Sequence, residues 1–99
     1  IMTITTQIEG NKLTVAMEGR LDTATAPELE KTLNANLEGI TELVLDMEKL
    51  FYLSSAGLRV VLAAQKRMNK CGHMTVKNVC AEIMEVFEIT GFVDILDIQ

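Results

Sequence analysis

The chain has 99 residues and a mass of 10.9 kDa, enough for one domain (1–99) and no more. A folded chain of this mass exposes roughly 5,600 Å² against roughly 15,800 Å² unfolded, so a core can form without metal or disulfide staples. Nine basic against fourteen acidic residues leave a net charge of −5, which repels phosphate backbones and anionic lipid and argues against nucleic acid or direct membrane binding.

Thr3–Ile8 and Lys12–Met17 are rich in Thr, Ile and Val, and Glu9-Gly10-Asn11 between them predicts the turn of an antiparallel hairpin. In the second run Leu13, Val15 and Met17 alternate with lighter or polar residues, as a strand with one buried face requires. Thr25-Ala26-Pro27-Glu28 reads as a helix start, with Thr25 as cap, Pro27 where a missing N–H costs nothing and Glu28 closing a capping box. Leu29, Leu33 and Leu37 then form one apolar stripe, and Gly39 is a stop. Glu42–Met47 is continuously apolar at its centre, which suits a strand covered on both faces. A loop is expected over Glu48–Leu53. A second helix is predicted from Ser55 to Asn69, burying Leu58, Val61, Leu62 and Met68 with Gln65 beside them, and Gly72 ends it. His73–Lys77 is a short strand. Asn78 is expected to cap a third helix over Val79–Thr90, with Ile83, Val86, Phe87 and Thr90 on one face and Gly91 as its stop. Phe92–Ile98 closes the chain as strand or helical turn. The order β-β-α-β-α-β-α implies parallel crossovers after an antiparallel hairpin. The fold class is therefore α/β, a mixed, mostly parallel sheet with helices packed against it.

Enzyme chemistry finds little support. The one histidine, His73, lies far in sequence from Ser54 and Ser55, and the carboxylates Asp22, Asp46, Glu48, Asp94 and Asp97 read as solvated surface. The glycines form neither a dinucleotide fingerprint nor a P-loop. Cys71 and Cys80 make neither a disulfide framework nor, with His73, a complete zinc site. No cofactor or metal is expected, and the free thiols fit a reducing, cytoplasmic setting. The longest apolar stretch, Leu58–Ala64, is broken by Arg59 and falls short of a membrane span. No basic region followed by an apolar block opens the chain, so no signal peptide is expected. Ile1 reads as an added residue, with Met2 the natural start of a free-standing protein.

One segment stands apart. Leu50-Phe51-Tyr52-Leu53-Ser54-Ser55-Ala56-Gly57-Leu58-Arg59 joins a buried strand to a helix and sets two hydroxyls and a glycine at the helix start. In the plainest reading Ser54 or Ser55 is a cap and Gly57 permits close packing. The alternative is a phosphorylation switch. A hydroxyl there faces unpaired N–H groups and the positive end of the helix dipole, so a phosphate can be held without unfolding the helix. It would add about −1.5 to −2 charges and block a partner by charge and bulk.

Three segments together resemble a known family. Glu18-Gly19-Arg20-Leu21-Asp22 with Thr25-Ala26-Pro27-Glu28-Leu29 is similar to a strand-to-helix turn of STAS domains. Leu43-Val44-Leu45-Asp46 with Tyr52-Leu53-Ser54-Ser55-Ala56-Gly57-Leu58 is similar to their phosphorylation loop, and Val86-Phe87-Glu88-Ile89-Thr90-Gly91-Phe92 to their last helix and stop. The resemblance runs in order over nearly the whole chain and is to the free-standing anti-sigma factor antagonists of bacteria. It implies a single STAS-like domain and a binding protein rather than an enzyme. Its implied partner is an anti-sigma factor with serine kinase activity, bound when the domain is unphosphorylated so that a sigma factor is released. A PP2C-type phosphatase would reset the switch. Family members commonly carry an aspartate before the modified hydroxyl. Aligning Gly57-Leu58 without a gap puts Ser55 at the phosphoacceptor and Ser54 in place of that aspartate, while a gapped alignment favours Ser54. The implied partner-binding set is Asp22, Thr23, Leu53, Ser54, Ser55, Ala56, Gly57, Leu58 and Arg59. The other STAS role is an interaction module of a transporter, lipid-transport or sensory complex acting by binding alone.

Overall fold

The computed structural model describes residues 2–99, so the expectation about Ile1 lies outside the described residues. The elements are β1 (Met2–Glu9), β2 (Lys12–Leu21), α1 (Ala26–Asn36), β3 (Glu42–Leu53), α2 (Ser55–Cys71), β4 (His73–Lys77), α3 (Ala81–Thr90), a 3-10 turn (Phe92–Asp94) and β5 (Asp97–Ile98). The strands form one sheet in chain order, β1-β2-β3-β4-β5, with β1 antiparallel to β2 and every later neighbour parallel. The exposed area, 5558 Å², agrees with the value expected from mass.

Strand order explains the layering. Each right-handed crossover steps the chain one strand further in the same direction, so all three helices land on one face of the sheet. That face carries Leu13, Val15, Met17, Leu43, Leu45, Met47, Met74 and Val76, all in one core cluster with Leu29 and Leu33 of α1, Leu58, Val61 and Met68 of α2, and Ile83 and Phe87 of α3. The alternate strand residues make a second face with no helix over it among the described residues, and the expectation that β3 is covered on both faces is corrected. Val44 is nonetheless buried on that side, because its register partners Thr14 and Thr75 flank it.

The structure also extends β3. The expected loop over Glu48–Leu53 is strand. Ala16 pairs with Asp46 but Glu18 with Lys49, and Gly19 pairs with Leu50 but Arg20 with Tyr52, so β3 twice spends an extra residue against β2. These bulges move the inward positions to Met47, Leu50 and Leu53, every third residue, all buried. Strict alternation fails there, which hid the strand.

Smaller differences have local causes. Thr25 precedes α1 but makes no side-chain cap bond, because its hydroxyl donates backwards to the Arg20 carbonyl at 2.7 Å; no capping box forms. α1 ends at Asn36, ahead of Gly39. α2 runs two residues beyond Asn69, to Cys71, before Gly72; Leu62 is half-buried and Gln65 buried. α3 begins at Ala81 after Cys80, because Asn78 sits at φ 60 and Oδ1 of Asp46 takes its side-chain amide at 3.0 Å. Thr90 is exposed and bonds back to the Val86 carbonyl. The tail is both turn and strand. His73 lies on the surface, paired with Asp97 at 2.6 Å across β4 and β5. Among the described residues, no helix is long and apolar enough to cross a membrane.

Candidate functional site

β2 and β3 end side by side, with Leu21 opposite Leu53; β2 leads through the turn Asp22–Thr25 into α1, and β3 through Ser54 into α2. The Ser54 N–H donates to the Leu21 carbonyl at 2.9 Å, tying the two strand-to-helix turns into one rim. Carboxyl ends of adjacent parallel strands, where helix N-termini gather, are a common place for recognition in open α/β sheets.

The two serines have different surroundings. Ser54 is the N-cap of α2, extended at φ −93 and ψ 174, half-buried, with its Oγ accepting the Gly57 N–H at 3.4 Å. Its carbonyl accepts the Leu58 N–H at 2.9 Å and opens the helix. Ser55 is the first helical residue and is exposed. Its hydroxyl therefore stands at the positive end of a 17-residue helix, free of the capping role its neighbour performs.

Gly57 is buried against both turns. A Cβ there would lie 2.7 Å from Leu21 Cγ and from Leu53 Cδ1, so only glycine lets α2 settle this close to the strand ends. Leu53 and Leu58 are likewise buried. They support the rim from below, whereas Thr23, Ser55 and Arg59 are exposed and Asp22, Ser54 and Ala56 partly so. Between α1 and α2 beside Ser55 lies an open groove of about 390 Å³, with Thr23, Ala26 and Pro27 on one wall and Ala56, Arg59 and Val60 on the other. Arg59 lies one turn after Ser55, on the same face of α2.

Asp22 organises the neighbouring turn. Its Oδ1 accepts N–H bonds from Ala24 (3.0 Å) and Thr25 (3.1 Å) and lies 3.1 Å from the Thr25 hydroxyl. The Thr25 backbone bond does most to hold the carboxyl below its ordinary value of 3.8, against some desolvation; the Thr25 hydroxyl, the Ala24 N–H and Arg20 add to the lowering. The Arg20 guanidinium lies 3.8 Å from the other carboxylate oxygen and 4.0 Å over the Tyr52 ring. With Phe51 68% exposed and Tyr52 41%, the end of the strand before α2 presents aromatic surface. Arg20 was not legible as part of this site, because its meeting with Tyr52 depends on the second bulge in β3.

The STAS domain family model matches residues 3–99. The chain is 38% identical over 88 residues to BtrV of Bordetella bronchiseptica, named an anti-sigma factor antagonist, covering 87% of this chain and 76% of that one. Its fold superposes with TM-score 0.90 on an anti-sigma factor antagonist from Mycobacterium paratuberculosis, at 22% identity and covering 99% of this chain and 85% of that one. It superposes with TM-score 0.77 on the Bacillus cell fate determinant SpoIIAA in its phosphorylated form, at 15% identity, covering 98% and 91%.

Proposed function

Since the chain belongs to the STAS domain family, we propose that it is an anti-sigma factor antagonist, a binding regulator switched by phosphorylation of Ser55. Its partner in this reading is an anti-sigma factor with serine kinase activity. The unphosphorylated rim binds that factor and frees a sigma factor, and a PP2C-type phosphatase restores the binding form. The name carried by the Bordetella relative supports the antagonist role. The single observation that favours Ser55 over Ser54 is the division of labour between them: Ser54 caps the helix and Ser55 is exposed.

The physics of the switch follows from position. A phosphate on Ser55 meets the helix dipole and the unpaired N–H groups of the first turn, so it costs the domain little. It places about −1.5 to −2 charges on the rim, enough to expel a partner that packs there. Asp22, Thr23, Ala56 and Arg59 frame the contact, and Leu53, Gly57 and Leu58 hold its shape.

A second reading is a STAS module of a transporter, lipid-transport or sensory complex that works by binding alone. Ser54 favours it, standing where the family commonly has aspartate. The test is phosphorylation by each anti-sigma-type kinase of the source organism with ATP, followed by mapping of the modified residue. A single phosphate on Ser55, with loss of kinase binding, is expected. Phosphate on Ser54 would move the acceptor by one position, and none with any kinase would favour the binding-only module.

A further inference from the structure

The free edge of the sheet has properties that the regulatory reading does not use. β1 pairs, among the described residues, with β2 alone, so its outer side offers unpaired backbone groups. Edge strands are ordinarily blunted by charge, proline, a bulge or short length. β1 spans eight residues in unbroken register with β2, and Thr3-Ile4-Thr5-Thr6-Gln7-Ile8 holds neither charge nor proline. The opposite edge, β5, is two residues long.

The hairpin turn decides which residues face outwards. Glu9 and Lys12 flank a two-residue turn with Gly10 at φ 63, which makes them a hydrogen-bonded pair. By alternation Gln7, Thr5 and Thr3 turn their backbone groups to β2, and Ile8, Thr6 and Ile4 turn theirs to the open edge. These outward residues carry their side chains on the helix-bearing face, since Ile4 and Ile8 stand opposite Met17 and Leu13. Ile4 packs on the core, but Ile8 lies beyond the helices and is 53% exposed.

We propose that the edge of β1 is a self-association surface, on which two copies pair antiparallel about a two-fold axis at Thr6. The pairing merges two five-stranded sheets into one. In that register Thr6 faces its counterpart, and Ile4 of each copy stands against Ile8 of the other. On the bare face Thr5 meets Gln7 and Thr3 meets Glu9, so no like charges are opposed. The outward N–H and C=O groups of Ile4, Thr6 and Ile8 find partners together with the exposed Ile8 side chain. A second copy satisfies the edge in this way because the sequence of β1 is complementary to itself about Thr6, as an isologous interface requires. One strand pair is a small interface, so association is weak and concentration-dependent.

The test is sedimentation velocity from low micromolar to near-millimolar protein, with amide hydrogen exchange followed by NMR at both ends of the range. The expected result is a monomer that becomes a dimer, with the Ile4, Thr6 and Ile8 amides slowing by about tenfold or more at high concentration while Thr5 and Gln7, already in the ladder, change little. Thr6→Lys sets two ammonium groups face to face and abolishes the dimer. Ile8→Lys, at an exposed site, does the same without touching the two-fold axis. Ala35→Lys adds the same charge on the exposed side of α1 and leaves the dimer intact. Added lysine reduces the net charge of −5, so general repulsion cannot explain a loss. Thermal melting confirms that each variant is folded. A chain that stays monomeric throughout, a dimer that survives both edge lysines, or a dimer whose Ile4, Thr6 and Ile8 amides remain unprotected would overturn the proposal.

Discussion

The two serines at the start of α2 can be separated by experiment. Ser54→Ala removes the side-chain acceptor of the Gly57 N–H. Loss of such a cap costs about 0.5–2 kcal/mol. The bond is long, at 3.4 Å, and only half-buried, which puts the cost in the lower part of that range, about 0.5–1 kcal/mol. For a domain of this size 1 kcal/mol moves the melting midpoint by about 4–8 °C, so a fall of about 2–8 °C is expected. Ser55→Ala removes no cap and places the best helix former in the first turn, so its midpoint should hold or rise slightly. Ser54→Asp keeps the acceptor and adds a favourable dipole interaction of about 0.3–1 kcal/mol, raising the midpoint. Circular dichroism melts of the three variants at neutral pH measure all of this, with phosphate incorporation read on the same samples. Phosphorylation should vanish in Ser55→Ala and persist in Ser54→Ala. A wild-type midpoint for Ser54→Ala, together with a drop of several degrees for Ser55→Ala, would refute the assignment of cap and acceptor.

Two further predictions concern the frame that holds the rim. A Cβ on Gly72 would lie 1.9 Å from the Thr41 carbonyl oxygen, so Gly72→Ala must push backbone from backbone and break the His73 N–H bond to that oxygen. One lost hydrogen bond and an overpacked contact sum to about 2–4 kcal/mol, a midpoint lowered by about 8–30 °C; a shift under about 4 °C would show that the α2–β4 turn relaxes freely. Asp22 has its carboxyl held below the ordinary value of 3.8, chiefly by the Thr25 N–H. Its charged form is thus preferred in the folded state, and that stabilisation is present above the unfolded value and lost as pH falls through the depressed folded one. Asp22→Asn should flatten the acid limb of the melting-midpoint profile below about pH 5 relative to wild type. Parallel acid limbs for the two proteins would count against this role.

Gly57 brings α2 against Leu21 and Leu53, and Asp22 closes the preceding turn on Thr25, so packing and hydrogen bonds within the domain set the shape of the rim. In the proposed switch, a phosphate on Ser55 would act by charge and bulk alone, with no refolding of the domain.

Much of this protein was legible in its sequence because the deciding interactions are local. The Gly10 turn, the Leu29 and Leu33 stripe, the Ile83 and Phe87 face and the Ser54–Ser55 helix start each depend on residues within a few positions of one another, and periodicity or cap chemistry suffices to read them. Strand order with right-handed crossovers then leaves little freedom in the topology. Tertiary structure alone decided what depends on register between distant segments. The two bulges carried β3 on to Leu53, set Arg20 over Tyr52 and turned an expected loop into the wall of the rim. The uniform direction of the crossovers left one sheet face bare. A one-residue slip between β2 and β3 would change the bulges and the Arg20–Tyr52 contact without altering a single local propensity, which is why no local pattern in the chain announces them.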